Sequence, residues 1–145
     1  MRVKLKHFKD IEFGGFVESM SITTLLKLDS LRKNWGFPIQ VSPAVGSTAR
    51  WSGEDDNSRH NVDKWGKSYA IDVMPSGIYS KDDVTNFIKV AKRCGFDGIG
   101  FYPHWNPKAG FHIDEREDEA RWGGVLDKKG NQIYVSLQEA IKRFI

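Results

Sequence analysis

The chain predicts an α+β fold, a single domain over residues 1–145 in which a small, mostly antiparallel sheet packs against helices. Three observations lead there. Amphipathic stripes at helical spacing recur along the chain, each opened or closed by a capping signal. Between them lie short β-prone runs, two of which face each other across a turn-rich segment in the manner of a hairpin. No internal repeat, low-complexity tract or linker divides the 145 residues, a length that suits one core.

Ser21 to Trp35 reads as the first helix. Ile22, Leu25, Leu26, Leu28 and Leu31 form its stripe, Lys27, Asp29, Arg32 and Lys33 lie opposite, and Gly36 and Pro38 end it. Pro38 to Val41 predicts a short strand. Ser42 to Lys67 then turns to Gly, Ser, Asn, Asp and charge, a long loop. Loops of that length in small domains are functional or disordered, and the presence of His60 favours function. Ser68 to Met74 alternates, with Tyr69, Ile71 and Val73 on one face and Ala70, Asp72 and Met74 on the other, a half-buried strand closed by Pro75 and Gly77. Ser80 and Asp83 make a capping-box pattern ahead of Val84, Phe87, Ile88 and Ala91, and Gly95 stops that helix. Gly98 to Tyr102 and Phe111 to Arg116 predict two strands joined by a Pro, Gly and Trp loop. Val125-Leu126 and Gln132 to Val135 predict a hairpin around Asp127 to Gly130. Ser136 and Glu139 open a last helix with Leu137, Ala140, Ile141 and Phe144 inward.

Composition removes several classes. Apolar residues are 39% and charged residues 28%, which excludes a disordered polymer and a membrane protein. No apolar run approaches the ~18–20 residues that span a bilayer. The start, Met1 to His7, is basic without an apolar core, so no secretory signal is expected, and any route out of a producing cell would be supplied by something else. Cys94 is the only cysteine, which rules out an internal disulfide and a Cys-rich zinc site; a small buried apolar role is expected for it. The net charge of +3 suits an anionic polymer such as cell wall or nucleic acid, and the dispersal of Lys and Arg argues against nucleic acid.

One set of residues stands out. On a strand, residues i and i+2 share a face. His112, Asp114 and Arg116 therefore lie together, opposite Phe111 and Ile113, and Asp72 lies beside the small Ala70. With His60 they supply an imidazole, a carboxylate and a second imidazole. Catalytic zinc sites use three such N/O ligands and keep a fourth position for water, whose pKa falls to ~7. The same residues also fit a plain arrangement: His60 solvated in its loop, His112 bonded to a strand neighbour, and Asp72 paired with a lysine.

Ser58-Arg59-His60, Ala70-Ile71-Asp72-Val73, Gly98 to Pro103, Phe111-His112-Ile113-Asp114 and Ala120-Arg121-Trp122 resemble, in order and context, the D-alanyl-D-alanine carboxypeptidase family of zinc peptidases. That family includes D,D-carboxypeptidases and the L-alanyl-D-glutamate peptidases of phage endolysins. Its motif reads S-x-H-x-x-G-x-A-x-D with a later H-x-H or H-x-D. The resemblance implies the hedgehog/D-Ala-D-Ala-peptidase-like fold and a monomer with one Zn2+ held by His60, Asp72 and His112. It implies hydrolysis of a peptidoglycan stem peptide after phage- or holin-type delivery, with no nucleic-acid or membrane partner.

Several positions depart from the pattern. His60 and Asp72 are twelve apart, a longer spacing than the motif's, so residues around Asp63 to Lys67 must bulge outward. Ser68 stands at the motif glycine, and Ser42 to Val45 replaces a segment that carries an arginine in many members, with Arg50 the nearest substitute. Ala109 stands where E-x-x-H members carry a glutamate. The candidate general bases are His104 and Asp114, and Asp114 is also a candidate to orient a ligand. Arg50 and Ser58 are the expected substrate contacts, with Arg59 and Arg116 as further carboxylate binders. Trp51, Trp65, Trp105 and Trp122 are candidate cleft walls. The alternative, suggested by these departures, is an inactive cell-wall-binding or phage structural module on the same fold.

Overall fold

Alternation along the strand segments gives each strand one apolar face and one mixed face, and this decides the layering. In the computed structural model, which describes residues 3–145, the strands are β1 (Ile39–Val41), β2 (Ala70–Pro75), β3 (Gly98–Tyr102), β4 (Gly110–Asp114), β5 (Ala120–Leu126) and β6 (Gln132–Val135). They form one open sheet in the order β1-β2-β4-β3-β5-β6. Every neighbouring pair is antiparallel except β3 and β5, which run parallel. The helices are α1 (Ile22–Trp35), α2 (Val62–Trp65), α3 (Lys81–Arg93) and α4 (Leu137–Lys142). The protein is a single α+β domain. Met1 and Arg2 of the basic start lie outside the described residues, and no described helix is long and apolar enough to cross a membrane.

The helices take the boundaries that their caps dictate. Gly36 closes α1 in the left-handed conformation, its N–H donating to the Arg32 carbonyl. Ser80 and Asp83 close a reciprocal capping box at α3. Ser136 Oγ accepts from the Glu139 N–H at 3.1 Å, but the Glu139 carboxylate pairs with Arg143 instead of returning to the cap. The buried face of α1 is Thr24, Leu25, Leu28 and Leu31. Ile22 and Leu26, expected in that stripe, are 46% and 48% exposed, because the sheet meets a narrower face of the helix.

Ile71, Val73, Ile99, Phe101, Phe111 and Ile113 are fully buried in the core with Leu28, Leu31, Val84, Phe87 and Ala91 of the helices. Phe111 packs between Phe87 (4.4 Å between centroids) and Phe101 (5.0 Å). Rings buried this way each contribute about 1.5–3 kcal/mol. The opposite sheet face carries two transverse rows, set by strand register. One is Ala70, Asp114, Gly98, Ala120; the next is Asp72, His112, Gly100, Trp122.

Two boundaries and one burial also differ from expectation. The long loop contains the short helix α2. β5 begins at Ala120 instead of Val125, since Gly123 and Gly124 carry no apolar alternation although both pair with β6. Cys94 is only half-buried at the end of α3, within reach of Ser30 and Asn34.

Candidate metal centre

Two of the three candidate ligands meet because β2 and β4 pair: Asp72 stands directly opposite His112, on the face away from the helices. The third comes from the long loop, which the backbone pins at two points. Arg50 forms a parallel bridge with Asn61, its N–H donating to the His60 carbonyl at 3.0 Å and its carbonyl accepting from Val62 at 2.8 Å. The Tyr69 N–H then donates to the Arg59 carbonyl at 2.8 Å. The chain thus leaves at His60, makes the α2 turn and returns beside its departure point. The twelve-residue separation of His60 and Asp72 is taken up by this turn, and the two side chains meet. Asn61, fully buried, fastens the loop further: its Nδ2 donates to the Gly53 and Asp56 carbonyls, and its Oδ1 accepts from the Ser52 and Asp63 N–H groups. Ser68, at the motif glycine, is buried and donates to the Thr48 carbonyl at 2.6 Å.

His60 Nε2, Asp72 Oδ1 and His112 Nδ1 form a nearly equilateral triangle. Its sides are 3.2 Å between His60 and Asp72, 3.2 Å between the two imidazoles, and 3.1 Å between His112 and Asp72. The outward nitrogens have other partners: His60 Nδ1 lies 2.7 Å from the Thr48 carbonyl and His112 Nε2 lies 2.6 Å from Asp114 Oδ2. Both partners accept, so each outward nitrogen donates a hydrogen to its partner. Each inward nitrogen then presents to the triangle either a lone pair or, on an imidazolium, a second hydrogen. A metal ion, or a proton on one imidazole, would join the three atoms. Four donors at ~2.0–2.1 Å around a tetrahedral zinc are about 3.3 Å apart, so the residues fit such an ion, and these three are the cluster able to hold a metal among the described residues.

A proton is the competing cation. Burial disfavours charge on His112, but hydrogen bonds to Asp114 and Asp72 and the charges of both carboxylates outweigh it and raise the pKa to about 9. Asp72 is also penalised by burial, yet the two imidazoles hold its carboxyl well below the usual range.

Asp114 does not occupy the place of a general base. It is fully buried behind His112, and its oxygens are taken by His112 and by Arg116, whose Nε donates at 2.7 Å. Its carboxylate orients the imidazole and adds to its basicity. The arrangement requires glycine at 98, where a Cβ would fall 2.1 Å from Asp114 Oδ1. His104 is exposed, accepts the Leu126 N–H on Nδ1 at 3.0 Å, and lies outside the cavity that contains Asp72 and His112.

That cavity, of about 550 Å³, opens directly on Asp72 and His112. Arg50 and Ser58 line it together, Arg50 Nη2 donating to Ser58 Oγ at 3.3 Å. Arg50 forms no ion pair among the described residues, whereas Arg116 is committed to Asp114 and Arg59 lies over the Trp65 ring at 4.3 Å. Trp105 and Trp122 form walls. Trp51 and Trp65 do not: Trp51 packs on Phe16, and Trp65 donates to the Ser58 carbonyl. Tyr102, Gln132 and Tyr134 line it as well. Sequence reasoning missed them, although Tyr102 shares the face of Gly98 and Gly100 by the i, i+2 rule.

An α+β domain with an imidazole–carboxylate–imidazole cluster at the floor of a cavity is the class defined by fold and site. Comparison of the chain with protein-family models, curated proteins and solved structures returns no match in any of the three.

Proposed function

We propose that this protein is a zinc-dependent peptidase that hydrolyses an amide bond of the peptidoglycan stem peptide, acting as a monomer with one zinc. The observation that carries the reading is the triangle of His60 Nε2, Asp72 Oδ1 and His112 Nδ1, of which Asp72 and His112 open onto a cavity. The order of the motif segments along the chain supports it independently. Bound there, zinc would supply an acidified water and polarise the amide carbonyl.

The chain's own residues have separable roles in this reaction. Asp114, backed by Arg116, keeps the Nε2–H of His112 outward so that Nδ1 stays a lone pair. The Thr48 carbonyl does the same for His60. Arg50 is free to bind a substrate carboxylate, and Ser58 Oγ positions its guanidinium. Trp105 and Trp122 form walls of the cavity.

A second reading, a metal-holding wall-binding module without catalysis, rests on one observation. Apart from Asp72, the carboxylate lining the cavity is Asp56, whose oxygens accept from Ser52 Oγ at 2.6 Å and from the Ser58 N–H at 2.9 Å. Those bonds lower its pKa and leave it a weak base. Mass spectrometry of purified peptidoglycan digested by the wild type and by His112→Ala separates the two. The peptidase reading predicts new termini from the wild type alone; identical spectra from both proteins would refute it.

A further inference from the structure

We propose that Tyr102 is a catalytic hydrogen-bond donor of this site, its phenol O–H held by Trp122 to meet the negative charge that develops on the carbonyl oxygen of the cleaved amide. The proposal rests on the peptidase reading above and adds a residue to it.

The phenol is placed from three sides. Its ring stacks on Trp105, with centroids 4.2 Å apart and planes 11° from parallel. Beneath it lies Gly124, where a Cβ would come within 2.4 Å of the ring. Its oxygen lies 2.8 Å from Trp122 Nε1. Trp122 in turn packs against the His112 imidazole, with centroids 5.2 Å apart, and occupies the space above Gly100, where a Cβ would come within 2.4 Å of the indole nitrogen. The position of the phenol is therefore tied, through one indole, to the ring of a candidate ligand.

The direction of its hydrogen follows from chemistry. An indole N–H only donates, so the Tyr102 oxygen accepts from Trp122 and its own hydrogen must go elsewhere. No described residue accepts it. Tyr102 is 5% exposed, and what surface it has lines the cavity shared with Asp72 and His112. Burial keeps the phenol protonated. A neutral donor fixed in a buried wall costs no reorganisation when charge appears in front of it.

In the reaction the water oxygen bonds to the carbonyl carbon and the C=O π pair moves onto oxygen. The C–N bond then breaks, and the amine leaves with a proton derived from the water. Tyr102 retains its proton throughout and contributes only the hydrogen bond.

The test compares zinc-loaded wild type, Tyr102→Phe and Trp122→Phe. Turnover is measured on purified peptidoglycan. Calorimetric binding is measured with the phosphinate analogue of D-alanyl-D-alanine, a tetrahedral anion that needs no cleavage. Tyr102→Phe is expected to lose on the order of 10²-fold in kcat with KM nearly unchanged, and a similar factor in phosphinate affinity, while keeping one zinc per chain. Trp122→Phe, which leaves the phenol but frees it, is expected to lose roughly tenfold in kcat. It stands in if Tyr102→Phe fails to fold. Wild-type turnover and phosphinate binding in both variants, or loss of zinc from Tyr102→Phe, would overturn the assignment. Absent turnover in the wild type, with phosphinate binding that still depends on Tyr102, would retire the peptidase reading and the catalytic role with it, leaving Tyr102 an anion-binding donor.

Discussion

His112 Nε2 lies 2.6 Å from the Asp114 carboxylate, on the side of the ring opposite its 3.1 Å approach to Asp72. One imidazole therefore joins a buried carboxylate, clasped by Arg116, to the acceptor cluster at the floor of the cavity. Outer partners of this kind fix the tautomer of a ligating histidine, and their loss lowers metal affinity. Asp114→Asn is accordingly expected to weaken zinc binding roughly 10–100-fold in competition with a chromophoric chelator. His104→Ala, outside the cavity lining, is expected to bind zinc as the wild type does.

Stability in acid follows from the same carboxylate. Burial opposes its charge, but the hydrogen bonds from Arg116 and His112 and their charges prevail and lower its pKa from 3.8 to about 2. A depressed carboxyl stabilises the fold in full above 3.8 and loses that contribution as pH falls through about 2. The loss amounts to about 2 kcal/mol. Urea unfolding across this window measures it, and Arg116→Ala should flatten the dependence.

Metal binding should release a proton. After chelation, His112 holds its second proton up to about pH 9, so the raised pKa stabilises the fold in full below 6.5 and the contribution fades as pH rises through 9. Zinc and this proton compete for Nδ1. Apparent zinc affinity should therefore rise about tenfold per pH unit between neutrality and pH 9. Calorimetry in two buffers of different ionisation enthalpy should report close to one proton released per zinc near neutral pH.

Gly98→Ala tests how tightly the carboxylate is seated. The added Cβ would fall 2.1 Å from Asp114 Oδ1, in contact with a residue that has no room to retreat. About 1–3 kcal/mol of destabilisation is expected from such overpacking, together with weaker zinc binding because Asp114 is pushed from His112. Thermal unfolding and chelator competition on one preparation read both effects.

Local features of the fold were legible in the sequence, and long-range ones were not. The caps at Gly36, Ser80 and Ser136 place the ends of α1, α3 and α4 because capping is decided within a few residues. Alternation from Ser68 to Met74 correctly puts Asp72 opposite Ile71 and Val73. The pairing of Asp72 with His112 has no local signature, since their separation of 40 residues is bridged only by sheet register. The parallel pairing of β5 with β3, which brings in Trp122, is hidden for the same reason. Asp114 looked available for proton transfer because sharing a strand face with His112 does not reveal burial. The structure also places Arg116 against it, which determines its role.

The claim that one divalent ion sits among His60, Asp72 and His112 is tested most directly by X-ray absorption at the zinc edge on zinc-loaded, extensively dialysed protein. The account predicts one zinc per chain with imidazole and oxygen scatterers at ~2.0–2.1 Å, and loss of that signal in His60→Ala, Asp72→Ala and His112→Ala alike. A protein that retains no zinc, or a His112→Ala variant that keeps one zinc with an unchanged spectrum, would contradict it.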